Sequence, residues 1–225
     1  MKRALWIRVA VYLAATLAAL TLLVGALHLK AARPLLARLG VGCPMQAAPE
    51  AVEAARLRSA RAQRGVEAAL SRPALGFALD RMTLSDVKAW AGQAHVACEE
   101  LRKGLLLRCS GVAEAALGNT GPVIDQLDFG FAPQSERLVN LSAWRSGMSG
   151  AAAAAQLNAV ARSLRQKLGA PAREAGVRSA SYLASGPMHT ALVQYRFSDY
   201  IADVSATNIP GRGLMLREHY MSACD

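Results

Sequence analysis

The sequence lacks the residue patterns that usually carry enzyme chemistry. It has four histidines and four cysteines, and no Cys-x-x-Cys pair is present. The histidines are scattered, and none is spaced with a cysteine as zinc ligands are: His28, His95, His189 and His219. No Gly-x-Ser-x-Gly and no Asp-x-Asp motif occurs, and Ser-Gly-Met-Ser-Gly at 146–150 has the wrong spacing for a nucleophile elbow. We therefore predict no catalytic residue, no cofactor and no metal site.

Acidic residues are missing from the first 43 positions, and this absence accounts for much of the basic character. The whole chain carries a net charge of +10. Six of its 26 basic residues flank an N-terminal apolar run: Lys2, Arg3, Arg8, Lys30, Arg33 and Arg38. The other 20 basic residues accompany 16 acidic ones, so the rest of the chain has an ordinary net charge of +4. Nucleic acid is therefore not an expected partner.

One apolar run, at 5–29, is the only long hydrophobic stretch. Its part at 9–27 has no charged residue and is long enough to cross a bilayer as a helix. We predict a cytoplasmic tail at 1–8, a transmembrane signal anchor at 9–29, a linker and stalk helix at 30–72 and an extracytoplasmic domain at 73–225. A cleaved signal peptide, with Val24-Gly25-Ala26 as its cleavage site, is the alternative. The predicted partner of this segment is the lipid bilayer.

The four cysteines all follow the apolar run, which favours an oxidising compartment for the folded part. Cys98 and Cys109 flank a segment with Lys103-Gly104 at its centre. If those two residues form a hairpin turn, the cysteines are directly opposed, with Cα atoms about 4.5–5.5 Å apart, within disulfide reach. Cys43 and Cys224 are then the second predicted pair, although other connectivities stay open.

These features favour the cytoplasmic membrane of a bacterium, with the folded part in the periplasm. The Ala-, Arg- and Leu-rich composition is the main reason for that choice. A eukaryotic secretory membrane is the alternative, since Asn140-Leu141-Ser142 is a formal glycosylation acceptor.

The remaining pattern predicts an α+β domain. A polar helix begins at Pro49 and runs to about Ser71, and a short helix follows at 86–93. The helix at 151–168 has Ser149 as its N-cap and Gly169 at its end; its apolar stripe is Leu157, Val160, Leu164 and Leu168. Alternation predicts strands in the cysteine hairpin and at 123–131, 138–144, 180–184, 191–204 with a bulge near 199–200, and 214–217. The order α-ββββ-α-βββ predicts an antiparallel sheet with helices packed on one face.

Two functions fit these expectations. A tether, a stalk and a disulfide-tied domain without a chemical motif favour a non-enzymatic binding or assembly module of the cell envelope, with a protein partner. This arrangement resembles, in outline, the single-span accessory subunits of bacterial envelope machines such as secretion and pilus systems. The alternative is an envelope enzyme with a carboxylate-containing site near the C-terminal bulge and turn, whose candidate residues are Asp199, Asp203, Asn208, Arg212 and Glu218.

Overall fold

The structure, a computed structural model, describes residues 16, 21 and 48–224. Cys43 and, except for Thr16 and Thr21, the predicted anchor lie outside the described residues. No helix within the described part is both long and apolar enough to cross a membrane. The chain divides into two compact units, Met1–Val52 and Glu53–Asp225, and the architecture given below is that of the second.

Residues 48–224 contain four α-helices and eight β-strands. The helices are α1 (Pro49–Gln63), α2 (Leu84–Gln93), α3 (Gly150–Leu168) and α4 (Ala180–Ala184). The strands are β1 (Cys98–Leu101), β2 (Leu106–Val112), β3 (Ile124–Phe131), β4 (Leu138–Met148), β5 (Arg173–Ala175), β6 (Thr190–Arg196), β7 (Tyr200–Ile209) and β8 (Gly213–Ser222). A 3₁₀ turn, Glu114–Leu117, connects β2 to β3.

All eight strands form one antiparallel sheet in the order β1-β2-β3-β4-β8-β7-β6-β5. Each half of the sheet is a run of consecutive strands, and the halves join where β4 pairs with β8. The last strand of the chain therefore lies in the middle of the sheet. The predicted α+β class and the predicted antiparallel sheet are confirmed.

Helices lie on both faces of this sheet, whereas the sequence predicted one covered face. Helix α3 contributes Leu157 and Leu164 to the main core, together with Val204 of β7. Side chains alternate along a strand, so Ile201, three residues before Val204, points to the other face. Ile201 forms a separate small cluster with Ala60 of α1. Local spacing in the sequence predicts the apolar stripe of α3. The sheet face that α1 covers depends instead on contacts with β7, which is far from α1 in the sequence.

The register and the disulfide of the cysteine hairpin are as the sequence predicted, whereas the two Cα atoms are closer than the predicted distance of about 4.5–5.5 Å. Cys98 pairs directly with Cys109 across β1 and β2, and the two form a disulfide with Cα atoms 4.0 Å apart. Lys103 and Gly104 both have positive φ, 56° and 85°, as the tight hairpin turn with two left-handed central residues requires. A lysine tolerates this conformation less well than glycine, and the disulfide keeps the hairpin closed beside it.

Several elements differ from the prediction. The single strand predicted at 191–204 is two strands, β6 and β7, because the chain reverses at the site read as a bulge; the Phe197 N–H donates to the Tyr200 carbonyl at 2.9 Å. The segment Ala180–Ala184 is a helix capped by Ser179, not a strand. Strand β5 was not predicted, since its three residues are too few to show alternation. Helix α1 ends at Gln63 rather than near residue 71.

Candidate functional site

The cysteines of the predicted second pair are not both described. Cys224 is exposed, and it has no disulfide partner among the described residues. Its Sγ lies 3.8 Å from the Asp199 carbonyl oxygen and 3.8 Å from Nη1 of Arg72. Because Cys43 lies outside the described residues, its pairing with Cys224 stays a prediction.

Two carboxylates of the predicted enzyme site lie on opposite faces of the sheet. Glu218 is paired with Val204 in the register of β7 and β8 and shares its face, whereas Asp203 is the next residue along and points away. Asp203 forms a 2.6 Å ion pair with Arg196. Burial favours a neutral carboxyl there, but the nearby His219 side chain and the hydrogen bond from Arg196 outweigh it and lower the pKa of Asp203. The sheet therefore separates these two carboxylates.

The other candidates of that site lie at the two ends of β7. Asp199 is in the turn before the strand, where its Oδ1 accepts from the Ala69 N–H at 2.9 Å. Asn208 is near the far end of the strand, and Arg212 is in the turn after it. Because a strand rises about 3.4 Å per residue, these ends are about 30 Å apart. The structure does not bring Asp199 together with Asn208 or Arg212.

A buried ionic network, which the sequence did not reveal, joins the two halves of the sheet. Arg145 of β4 is 1% exposed, and its Nη1 lies 2.7 Å from Oε1 of Glu218. Its Nη2 donates to Glu114 of the 3₁₀ turn, and its Nε donates to the Pro122 carbonyl at 3.3 Å. The Tyr220 hydroxyl donates to the second oxygen of Glu218 at 2.5 Å, and burial raises the pKa of that tyrosine. Each side chain of this network forms a hydrogen bond or an ion pair with another member. The network therefore stabilises the fold.

A cavity of about 90 Å³ lies between helix α3 and the outer strands β5 and β6. Its lining residues are Asn158, Ala161, Arg162, Arg165, Glu174, Arg178, Val193 and Tyr195. The helix residues follow the spacing of one helical face, and Val193 and Tyr195 are alternate residues of β6 that share a sheet face. We call this cavity, defined by those eight residues, the α3 pocket.

The Tyr195 hydroxyl is the unsatisfied group of the α3 pocket. Tyr195 is 1% exposed, and its oxygen has no hydrogen-bond partner in the described part of the chain. Burial raises its pKa and Glu174 raises it further, while Arg165 and Arg178 act in the opposite direction. The hydroxyl is therefore protonated at neutral pH and available as a donor. Leaving such a group without a partner costs about 1–3 kcal/mol.

The arginines of the α3 pocket give it a positive charge. Arg178 donates to Glu174 at 3.1 Å, and Asn158 holds the backbone there by donating to the Arg178 carbonyl at 3.1 Å. Arg162 and Arg165 are exposed, and neither forms an ion pair with a described residue. With three arginines and one glutamate, the pocket has an excess of positive charge and can bind an anion.

In the sequence, Arg162 and Arg165 lie outside the apolar stripe of α3, and no local pattern connects them to a site. Glu174 comes from β5, Arg178 from the loop after it, and Val193 and Tyr195 from β6, and only the tertiary structure brings them to α3. The one local signal was Tyr195, a residue with a polar tip at a buried position of an alternating strand.

The segment at 65–70, which we call the apolar segment, exposes two large side chains in a fixed backbone. Val66 is 97% exposed and Leu70 is 90% exposed. The backbone is held against the β6–β7 turn, since the Gly65 N–H donates to the Phe197 carbonyl at 3.2 Å and the Ser198 N–H donates to the Glu67 carbonyl at 2.7 Å. The two side chains are four residues apart on a backbone held by hydrogen bonds, so a partner could cover both at once.

Among the described residues, no group of three or more histidine, cysteine, aspartate or glutamate side chains could hold a metal ion. No protein-family model, no curated protein and no solved structure matches the chain.

Proposed function

We propose that this chain is a non-enzymatic binding or assembly module of the bacterial cell envelope. In this proposal, residues 9–29 anchor it in the cytoplasmic membrane, the α+β domain lies in the periplasm, and a protein is its partner. The Cys98–Cys109 disulfide supports an oxidising compartment, because such bonds persist there and are rare in the cytoplasm. The absence of a charged residue at 9–27 supports the anchor.

The observation that carries the binding role is the apolar segment. Val66 and Leu70 are the most exposed of the large apolar side chains in the described part of the chain. Hydrogen bonds hold their backbone in place. A partner that covered the two side chains would therefore bury apolar surface at a small cost in conformational entropy. The segment directly follows α1 in the chain.

Site-specific photo-crosslinking in intact cells tests this role. A photoreactive amino acid at Leu70 is expected to give a discrete adduct with one protein, whereas the same amino acid at Glu67 gives little. Glu67 is exposed and belongs to the same segment, so it controls for access to the probe. The double variant Val66→Ser/Leu70→Ser is expected to abolish capture from a third probe site, at Ala68, while leaving stability within about 0.5 kcal/mol, because both side chains are already in water.

Recovery of the chain only as an isolated monomer, with no adduct at Leu70, would contradict the proposal. Equal adducts at Leu70 and Glu67 would also contradict it, because they would indicate random collision rather than a contact surface. The location is measured separately by a C-terminal alkaline phosphatase fusion, which is active only if the domain reaches the periplasm. An inactive, stable fusion would overturn the proposed topology.

A further inference from the structure

The α3 pocket has the features of a second binding site, independent of the proposed protein partner. Tyr195 lines it, and the hydroxyl of that residue is buried and without a partner among the described residues. Its rim carries three guanidinium groups, those of Arg162, Arg165 and Arg178, and one carboxylate, that of Glu174. The three positive charges exceed the one negative charge by two, and only Arg178 is already engaged, with Glu174.

We propose that the α3 pocket binds the dianionic phosphate group of a phosphate-bearing ligand. A phosphate monoester carries close to two negative charges at neutral pH, because its second pKa is about 6. That charge matches the excess of the pocket. Guanidinium groups offer paired N–H donors that fit phosphate oxygens, and the neutral phenol offers a further donor from below. An oxygen of the ligand would satisfy the buried hydroxyl.

The size of the pocket fits a headgroup and not a large molecule. Its volume of about 90 Å³ leaves room for a small group such as one phosphate. The rest of a ligand would extend past the exposed arginines Arg162 and Arg165 into solvent. A solvated row of arginines on α3 would explain their exposure, but it would not explain a protonated hydroxyl buried beneath them without a partner.

The first test measures binding of inorganic phosphate to the full chain in a non-ionic detergent. Calorimetric titration at about pH 8, where phosphate is a dianion, is run at constant ionic strength set with chloride. Tyr195→Phe keeps the packing and removes only the hydroxyl, and Arg162→Gln removes one charge of the rim. Each is expected to weaken the phosphate affinity about tenfold, as loss of a hydrogen bond to a charged group does.

Lys167→Gln is the matched control. Lys167 is also an exposed cation of α3, but it does not line the pocket, so its loss is expected to change the affinity less than about twofold. Without phosphate, Tyr195→Phe is expected to unfold at the same temperature as the native chain or higher, since it removes an unsatisfied buried group. Its stabilisation by phosphate is expected to be smaller than that of the native chain.

Two results would overturn the assignment. The first is a phosphate response that is the same in Tyr195→Phe, Arg162→Gln and Lys167→Gln, which would reduce it to general screening of surface charge. The second is acetate binding as tightly as phosphate, which would exclude a preference for the dianion. Failure here leaves the crosslinking result at Leu70 unaffected, so the two proposals are separable.

A second titration identifies the source of the phosphate group. A short-chain, water-soluble phosphatidic acid is compared with inorganic phosphate on the same variants. Tighter binding of the lipid with the same dependence on Tyr195 and Arg162 assigns the group to a lipid headgroup. Equal affinities assign it to a free phosphate compound. Loss of the dependence on Tyr195 for both ligands would contradict the site itself.

Discussion

At the scale of single residues, the buried arginine of β4 has the largest energetic consequence. Arg145 lies between Glu114 and Glu218, and all three side chains are at most 5% exposed. Removing both carboxylates from water is costly, and the arginine between them offsets that cost through direct ion pairs. The network also ties the 3₁₀ turn to β4 and β8, which belong to different halves of the sheet.

Arg145→Met is therefore expected to destabilise the fold strongly, by about 3–5 kcal/mol, because it leaves two buried carboxylates without a counter-ion. Arg108→Met is the control, since Arg108 forms a strand ion pair with Asp128 at 2.9 Å but is 39% exposed. Its expected cost is below about 1 kcal/mol. Urea denaturation of both variants measures the difference, and equal losses would show that the buried network contributes no more than a surface pair.

At the scale of elements, the contact between α3 and α4 depends on one glycine. A Cβ at Gly150, the first residue of α3, would lie 2.8 Å from the Ala180 carbonyl oxygen and 3.1 Å from the Ala184 Cβ. Both neighbours belong to α4, and the first is backbone. The absence of a side chain at Gly150 thus allows the start of α3 to approach the short helix α4, which lies between β5 and β6 in the chain.

Gly150→Ala is expected to lower the free energy of unfolding by about 1–3 kcal/mol, as overpacking does, because backbone must shift to admit the methyl group. Gly92→Ala in α2 is the matched control, since a Cβ there meets nothing within 4 Å. It is expected to leave stability unchanged or to raise it by up to about 1 kcal/mol through helix propensity. Chemical denaturation compares the two variants. Destabilisation of the same size at both positions would contradict the close approach.

The predictability of the elements follows from how local their signals are. The hairpin register and the helix at 151–168 were predicted from sequence because turn chemistry, caps and apolar spacing act within a few residues. Strand β5 was missed because its three residues pair only as an addition to β6. A turn and a bulge both interrupt the alternation of side chains, so the sequence pattern does not separate them; the antiparallel pairing of β6 with β7 identifies the turn.

At the scale of the whole molecule, the C-terminal strand joins the two halves of the sheet. Strand β8 pairs with β4 on one side and β7 on the other, so Cys224 follows directly on a strand at the centre of the fold. A disulfide from Cys224 to Cys43 would link this end of the chain to the residues before α1. Because it would reduce the entropy of the unfolded chain, a disulfide that closes so long a loop would raise the free energy of unfolding by about 5 kcal/mol.

Peptide mapping of the non-reduced protein is expected to recover two cross-linked pairs, Cys98 with Cys109 and Cys43 with Cys224. The variant Cys224→Ser is expected to retain the first pair, to release Cys43 as a free thiol and to unfold at a lower temperature than the oxidised native chain. In the presence of reductant the two proteins should unfold alike. A free thiol at Cys43 in the native protein would overturn the second pairing.

The sequence by itself determined the α+β class, the opposed cysteines of the hairpin and the limits of the long helix, since each depends on neighbours in the chain. It also made clear that the net charge belongs largely to the flanks of the apolar run. Only the tertiary structure decided which polar side chains meet: Arg145 with two glutamates in the core, and Tyr195 with the arginines of the α3 pocket. The physical reason is that sheet pairing joins segments far apart in sequence, and no local pattern encodes which polar side chains that pairing buries together.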